Sequence, residues 1–376
     1  MQLVNLETPQ TFISNELITS IQSGDLSKSK EIINDITDYT TILRSFYLLA
    51  CKQSEIVNYL NSAVIFTDAI SEIIKRLFPE DPHLILEESL EYYCSLNYST
   101  AELDLPKPNP EDINTPVVVK ELSESIEKGE LENSFKMSKK LLTVMDSKTY
   151  FNELLMEIAA KSYTDEGESI IIISSICKAL ELFEWKMIDE LIWYALNLLT
   201  SEEFKSRRKI LTPSDKEIMY SEYVLKAASE PGEYGKNLLL MGHARQIYKA
   251  ASVKYKEIWA YLSSFIQTKL EKVRIEEMEE IEPVKGDIVD FEASIGIKDV
   301  QLTMTFVNEI LKSEVNVGEL FGTLALSLAE NGKFKTPEII IYLNMARRLA
   351  TALDYPRNLL VYKSFLNYLY SENHTV

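Results

Sequence analysis

The chain writes one seven-residue phrase three times: SIQSGDL at Ser20–Leu26, SIEKGEL at Ser125–Leu131 and SIGIKDV at Ser294–Val300. Self-similarity of this kind is the mark of a repeat architecture, in which each unit buries its apolar face against a neighbour. Before or within the phrase, Leu17, Ile18 and Ile21 fall three or four apart, as do Leu122 and Ile126, so each copy closes a helix with one buried stripe. Gly24 and Gly129 stand where a helix ends in a left-handed residue, and the acidic residue that follows can cap the next helix. The phrase therefore reads as helix, tight turn, helix. In the third copy Lys298 takes the place of the glycine, which sets that turn against the usual preference of a side chain.

Only 11 glycines and 12 prolines punctuate the 376 residues, and Leu, Ile, Glu, Lys, Ser and Ala dominate, a mixture that favours helices over turn-rich β structure. The expected fold is all-α, an array of stacked antiparallel helical hairpins, curved or closed, with about twelve to sixteen helices. Apolar bursts at Ala63–Phe66, Ile170–Ile173 and Ile339–Tyr342 recur in the three related units. The organisation predicted is a helical repeat unit over 1–98, a Pro-rich linker over 99–116, a second unit over 117–212, an inserted helical block over 213–280, an acidic Gly/Pro-containing loop over 281–290 and a third unit over 291–376. Thr212-Pro213-Ser214-Asp215 and Thr336-Pro337-Glu338 each have the hydroxyl cap and first-turn proline of a helix start.

Three cysteines, widely spaced and set among apolar neighbours, offer neither a disulfide framework nor a zinc knuckle, so a reducing, cytoplasmic setting is expected. The start MQLVNLETPQ lacks a positive segment followed by an apolar one, and no membrane association is expected. With 39 basic against 58 acidic residues the net charge is −19, which disfavours phosphate backbones and makes nucleic acid an unexpected partner. The cluster Lys205, Arg207, Arg208, Lys209 reads as a solvated connection. The charge points instead to a protein or peptide partner with a basic segment, bound on a concave surface.

No phosphate-cradling glycine loop and no nucleophile-elbow motif occurs, and no cofactor is expected. Histidine, which most enzymes use near neutral pH, is present three times, at His83, His243 and His374. Glu80 and His83 match the Glu-x-x-His spacing of a di-iron bundle, but the second copy such a centre requires is lacking. His243 is the best catalytic candidate. It lies in LLLMGHARQIYKAA, where Gly242 permits close backbone approach and the pair opens an amphipathic helix. This helix resembles the questin-oxidase-like group of large helical proteins, a likeness that implies histidines at helix starts facing a shared interior and oxidoreductase-like chemistry. At the corresponding starts of the other units stand Asn61-Ser62, Glu168-Ser169 and Pro337-Glu338.

Aromatic residues gather in the central half of the chain. Trp193 and Tyr248, with His243, are the candidate ligand-binding residues, since such rings supply contact area with a polar handle. The favoured expectation is an interaction or scaffold protein without catalysis. The alternative is a cofactor- or small-molecule-binding, oxidoreductase-like protein with an enclosed site around His243.

Overall fold

The computed structural model describes residues 12–54, 62–78, 81–99, 105–106, 119–144, 148–163, 167–202, 209–210, 212–213, 218–249, 252–278, 281, 285–313 and 317–371. Outside these lie most of the Pro-rich linker, residues 205–208 of the basic cluster, Glu80, Ser214, Asp215 and His374. The all-α expectation holds: among the described residues eighteen α-helices run from α1 (Asn15–Gln22) to α18 (Leu359–Tyr370). That exceeds the number expected because elements as short as the eight-residue α1 form complete helices. Strand structure among the described residues amounts to a two-residue antiparallel pair, Ser162–Tyr163 with Lys209–Ile210, and one isolated bridge.

The three phrases adopt one turn. They join α1 to α2 (Leu26–Asp35), α6 (Val119–Lys128) to α7 (Leu131–Val144), and α14 (Ile288–Ile297) to α15 (Val300–Lys312). Gly24, Gly129 and Lys298 have φ of 73°, 81° and 59°, and each donates its N–H to the carbonyl three residues back. Lys298 thus accepts the left-handed conformation that the two glycines adopt without steric cost. Asp25 and Asp299 cap the following helices through the amides of Lys28 and Leu302. A buried hydroxyl contact nine residues apart locks each corner: Ser20 with Ser29 at 2.9 Å, Ser125 with Ser134 at 2.9 Å, and Thr303 donating to the Ser294 carbonyl at 3.4 Å.

The three apolar bursts open three helices at the centre of the molecule: α4 (Ala63–Leu77), α9 (Glu168–Leu182) and α17 (Pro337–Ala350). The inserted block supplies a fourth, α12 (Lys236–Lys249). Consecutive apolar residues cannot share one helix face, so a helix carrying such a run must be covered on all sides. Ile170–Ile173 and Ile339–Tyr342 are buried throughout, each fully buried Ile or Leu contributing about 1.5–3 kcal/mol. These four helices pack in a ring, α4 on α17, α17 on α12, α12 on α9 and α9 on α4, so one core joins all the sequence blocks.

The ring is parallel. Gly235 meets Tyr342 and Gly242 meets Met345, while Gly167 approaches Leu240 and His243 reaches Ser174 farther along both helices. Arg76 and Leu77 at the end of α4 line the same cleft as Glu181, Lys249 and Thr351, so all four C-terminal ends emerge at one end of the bundle. Among the described residues, no helix is long and apolar enough to cross a membrane.

Candidate functional site

Each central helix carries basic residues in its last turns, and the parallel arrangement brings them together. A cleft of about 760 Å³ is lined by Arg76 of α4, Lys178 of α9, Arg245 and Lys249 of α12, and Arg347 and Arg348 of α17. Two carboxylates, Glu72 and Glu181, share the lining. Four converging helix C-termini each carry roughly half a negative charge, which favours cations here and accounts for part of the cluster.

Internal pairs account for more of it. Lys178 Nζ donates to both oxygens of buried Asp68 at 2.7 and 2.8 Å, and Ser175 donates to the same carboxylate at 3.2 Å. Arg347 Nη2 donates to Glu72 at 3.4 Å and to Asn344 at 3.0 Å. Arg245 donates to the Arg348 carbonyl and to Thr351 Oγ1 and carbonyl, closing the end of α17.

An excess of positive charge is left over. Arg76, Lys249 and Arg348 make no side-chain ion pair among the described residues, and Arg347 Nε, Arg348 Nη1 and Arg245 Nε are buried N–H groups without a hydrogen-bond partner there. Such groups ordinarily find partners, because leaving one dry and unpaired costs about 1–3 kcal/mol. The field of this cluster is visible in its neighbours. Burial drives the Arg347 guanidinium down to about 10 against the pull of Glu72, helped by Arg348, Arg76 and Arg245. Burial favours a protonated Glu72, yet Lys178, Arg348, Arg347 and Arg76 outweigh it and hold this carboxyl below its ordinary range.

His243 lies just inside this cluster, fully buried. Its Nδ1 is 3.0 Å from Ser174 Oγ and its Nε2 has no partner among the described residues. Burial, then the charges of Lys178 and Arg348, hold the imidazole well below its usual range, so it is neutral at pH 7. A general base needs access to a reacting proton and a partner that orients it. His243 is closed off from the cleft by packing, and its one hydrogen-bonding neighbour is a serine hydroxyl.

The other sequence candidates stand apart. Trp193, on α10 (Asp189–Thr200), packs edge-on against Phe135 with ring centroids 5.4 Å apart. Tyr248 is half-exposed and stacks on Tyr220 at 4.9 Å, beside Trp259. His243, Trp193 and Tyr248 thus occupy three different environments. Gly242 does give close approach, since a Cβ there would lie 2.3 Å from Met345 Sδ. The pair does not open its helix, however: α12 begins at Lys236, and Gly242 and His243 are in its middle. His83 is the first residue of α5 (His83–Ser95), and no group of three or more His, Cys, Asp or Glu side chains among the described residues is placed to hold a metal ion. No family model, curated protein or solved structure matches this chain.

The cleft residues come from positions 72–77, 178–181, 245–249 and 347–351, with Gly318 beside them. The sequence carries a partial signal for them: each apolar burst or its equivalent is followed four to nine residues later by Lys or Arg, in IIKR, SSICK, GHAR and MARR. Only the parallel ring makes these endings neighbours.

Proposed function

We propose that this chain is a binding protein without catalysis, and that it engages an anionic ligand or partner group in the cleft at the common C-terminal end of its central helices. The observation that supports this reading is the convergence of six cations on one cleft, with Arg347 and Arg348 side by side among them, on a chain of net charge −19. Evolving such a cluster is costly in self-repulsion unless something of opposite charge fills it. An anion offsets the charge of the cations that line the cleft, and charge-assisted bonds to arginine are among the strongest available in water. A partner with a basic segment, suggested by net charge alone, has to dock outside this cleft.

The enzyme reading has less support. His243 faces a serine in dry packing, and the aromatic residues that were to enclose it point elsewhere. Native mass spectrometry of the purified protein, beside the same sample denatured, tests the choice. The expected result is an excess mass that disappears on denaturation and weakens in Arg348→Gln but not in His243→Gln. An adduct that depends on His243 alone overturns it.

A further inference from the structure

We infer that the groove between α8 (Lys148–Lys161) and the start of α13 (Val253–Leu270) receives a peptide segment of a partner protein in which one basic side chain is flanked by apolar ones. This groove shares no residue with the cationic cleft, and its volume of about 450 Å³ suits a few side-chain-sized groups. Positions 150, 153, 154 and 157 fall three or four apart on α8, so Tyr150, Glu153, Leu154 and Glu157 share the face that lines it. Across from them stand Val253, Lys254 and Glu257 of α13.

The charges of the groove do not balance. Glu157 is held by both Lys161 and Lys254. Burial works against its charge, yet the two ammonium groups keep its carboxyl below the ordinary range. Lys254 also lies 3.4 Å from Glu257, whose side chain is 59% exposed. Two ammonium groups thus serve three carboxylates. Glu153 has no cation among the described residues; Ser252 donates to its Oε1 at 2.9 Å, and its other oxygen is unpaired there but not sealed from the groove. The residue is only 7% exposed, and a carboxylate so far withdrawn from water ordinarily has a cation beside it. The N-terminus of α13 adds only about half a positive charge, and Ser252 Oγ already caps it by accepting from the Tyr255 amide. One further cation completes the groove. No three carboxylates among the described residues are placed to hold a metal ion, so that cation is an organic one.

The apolar part of the lining argues for a peptide. Tyr150 and Val253 are 58% and 75% exposed, beside the buried Leu154. A small amine filling the groove leaves them in water, whereas a chain laid across it covers both and sends its basic side chain inward. The net charge of −19 favours the approach of such a segment.

Fluorescence anisotropy of the full chain with a labelled, end-blocked Ser-Leu-Arg-Leu-Ser peptide provides the test. The comparisons are the same peptide with citrulline, which keeps the shape of arginine without its charge, and agmatine as a free small cation. The arginine peptide is expected to bind about tenfold more tightly than the citrulline one. Glu153→Gln, which can still accept from Ser252, is expected to weaken it about tenfold, and Glu257→Gln and Val253→Ser, both at exposed side chains, about threefold each. Arg348→Gln is expected to leave it unchanged. Equal affinity for the citrulline peptide, no effect of either glutamate change, or no binding at all overturns the inference. Agmatine binding as tightly as the peptide assigns the groove to a small organic cation instead, and loss of binding in Arg348→Gln moves the peptide to the other cleft; either result also overturns it.

Discussion

Asp68 of α4 and Lys178 of α9 form an ion pair across the parallel ring, with both carboxylate oxygens within 2.8 Å of the ammonium and the Asp68 side chain only 2% exposed. Burial, reinforced by Arg348, works against the charged form of Lys178, and Asp68 with Glu72 works for it. Removing one partner of a buried pair strands the other charge. Asp68→Ala is therefore expected to lower stability by about 3–5 kcal/mol in chemical denaturation. Asp68→Ala combined with Lys178→Met should cost less than Asp68→Ala alone, since no uncompensated charge remains.

His243 sets a pH dependence. Its unfolded value is near 6.5, and burial, with Lys178 and Arg348, holds the folded value well below that. Between the two, the unfolded chain binds a proton that the folded one does not, so stability is full above pH 6.5 and falls as the pH drops below it. The slope approaches about 1.4 kcal/mol per pH unit from this group. His243→Gln, which keeps a hydrogen-bonding group beside Ser174, is expected to flatten the loss between pH 6.5 and about 5 in urea titrations. An unchanged slope in the variant shows that His243 is not the group responsible.

The three corners give a matched set of backbone tests. Lys298 holds φ of 59° with a side chain, a conformation that costs about 1–2 kcal/mol, partly offset because glycine loses more freedom on folding. Lys298→Gly is expected to stabilise the chain by about 0.5 kcal/mol. Gly24→Ala should do the reverse by about 1 kcal/mol. The nearest atom to a Cβ at Gly24 is the Cys94 carbonyl oxygen at 3.8 Å, an ordinary contact, so any loss there is conformational rather than steric.

These corners were legible because a local phrase fixes a local turn: the chain needs only a helix end, a left-handed residue and a cap, all within seven positions. The ring was less legible. Bursts such as Ile170–Ile173 announced burial, yet nothing local states that four such helices run parallel and end together. Glu72 and Arg347, which meet at 3.4 Å, stand 275 residues apart. The reading of Gly242 shows both sides of the matter. The residue type implies the close approach, while the expected helix start gives way to a mid-helix position because glycine's low helix propensity yields to its contact with Met345. Net charge is silent on the cleft for a similar reason, since −19 is a sum over the whole sequence while six basic side chains and two carboxylates line this one place.

The cleft itself carries a stability cost that separates its arginines by role. Arg348 has a side chain without an ion pair among the described residues, and its carbonyl, not its guanidinium, holds Arg245. Arg348→Gln keeps that backbone contact while removing one of several mutually repelling cations, so the ligand-free protein should gain about 0.5–1 kcal/mol at low salt. The gain should shrink as salt rises past about 0.15 M, where screening already weakens the repulsion between partly exposed charges. Arg347 behaves oppositely. It bonds Glu72 and Asn344, so Arg347→Gln strands a carboxylate that the surrounding cations keep ionised, and stability falls by about 1–3 kcal/mol. Urea titrations of the two variants at low and high salt check the contrast. A loss of stability in Arg348→Gln would show its guanidinium to be a structural tie rather than a binding group.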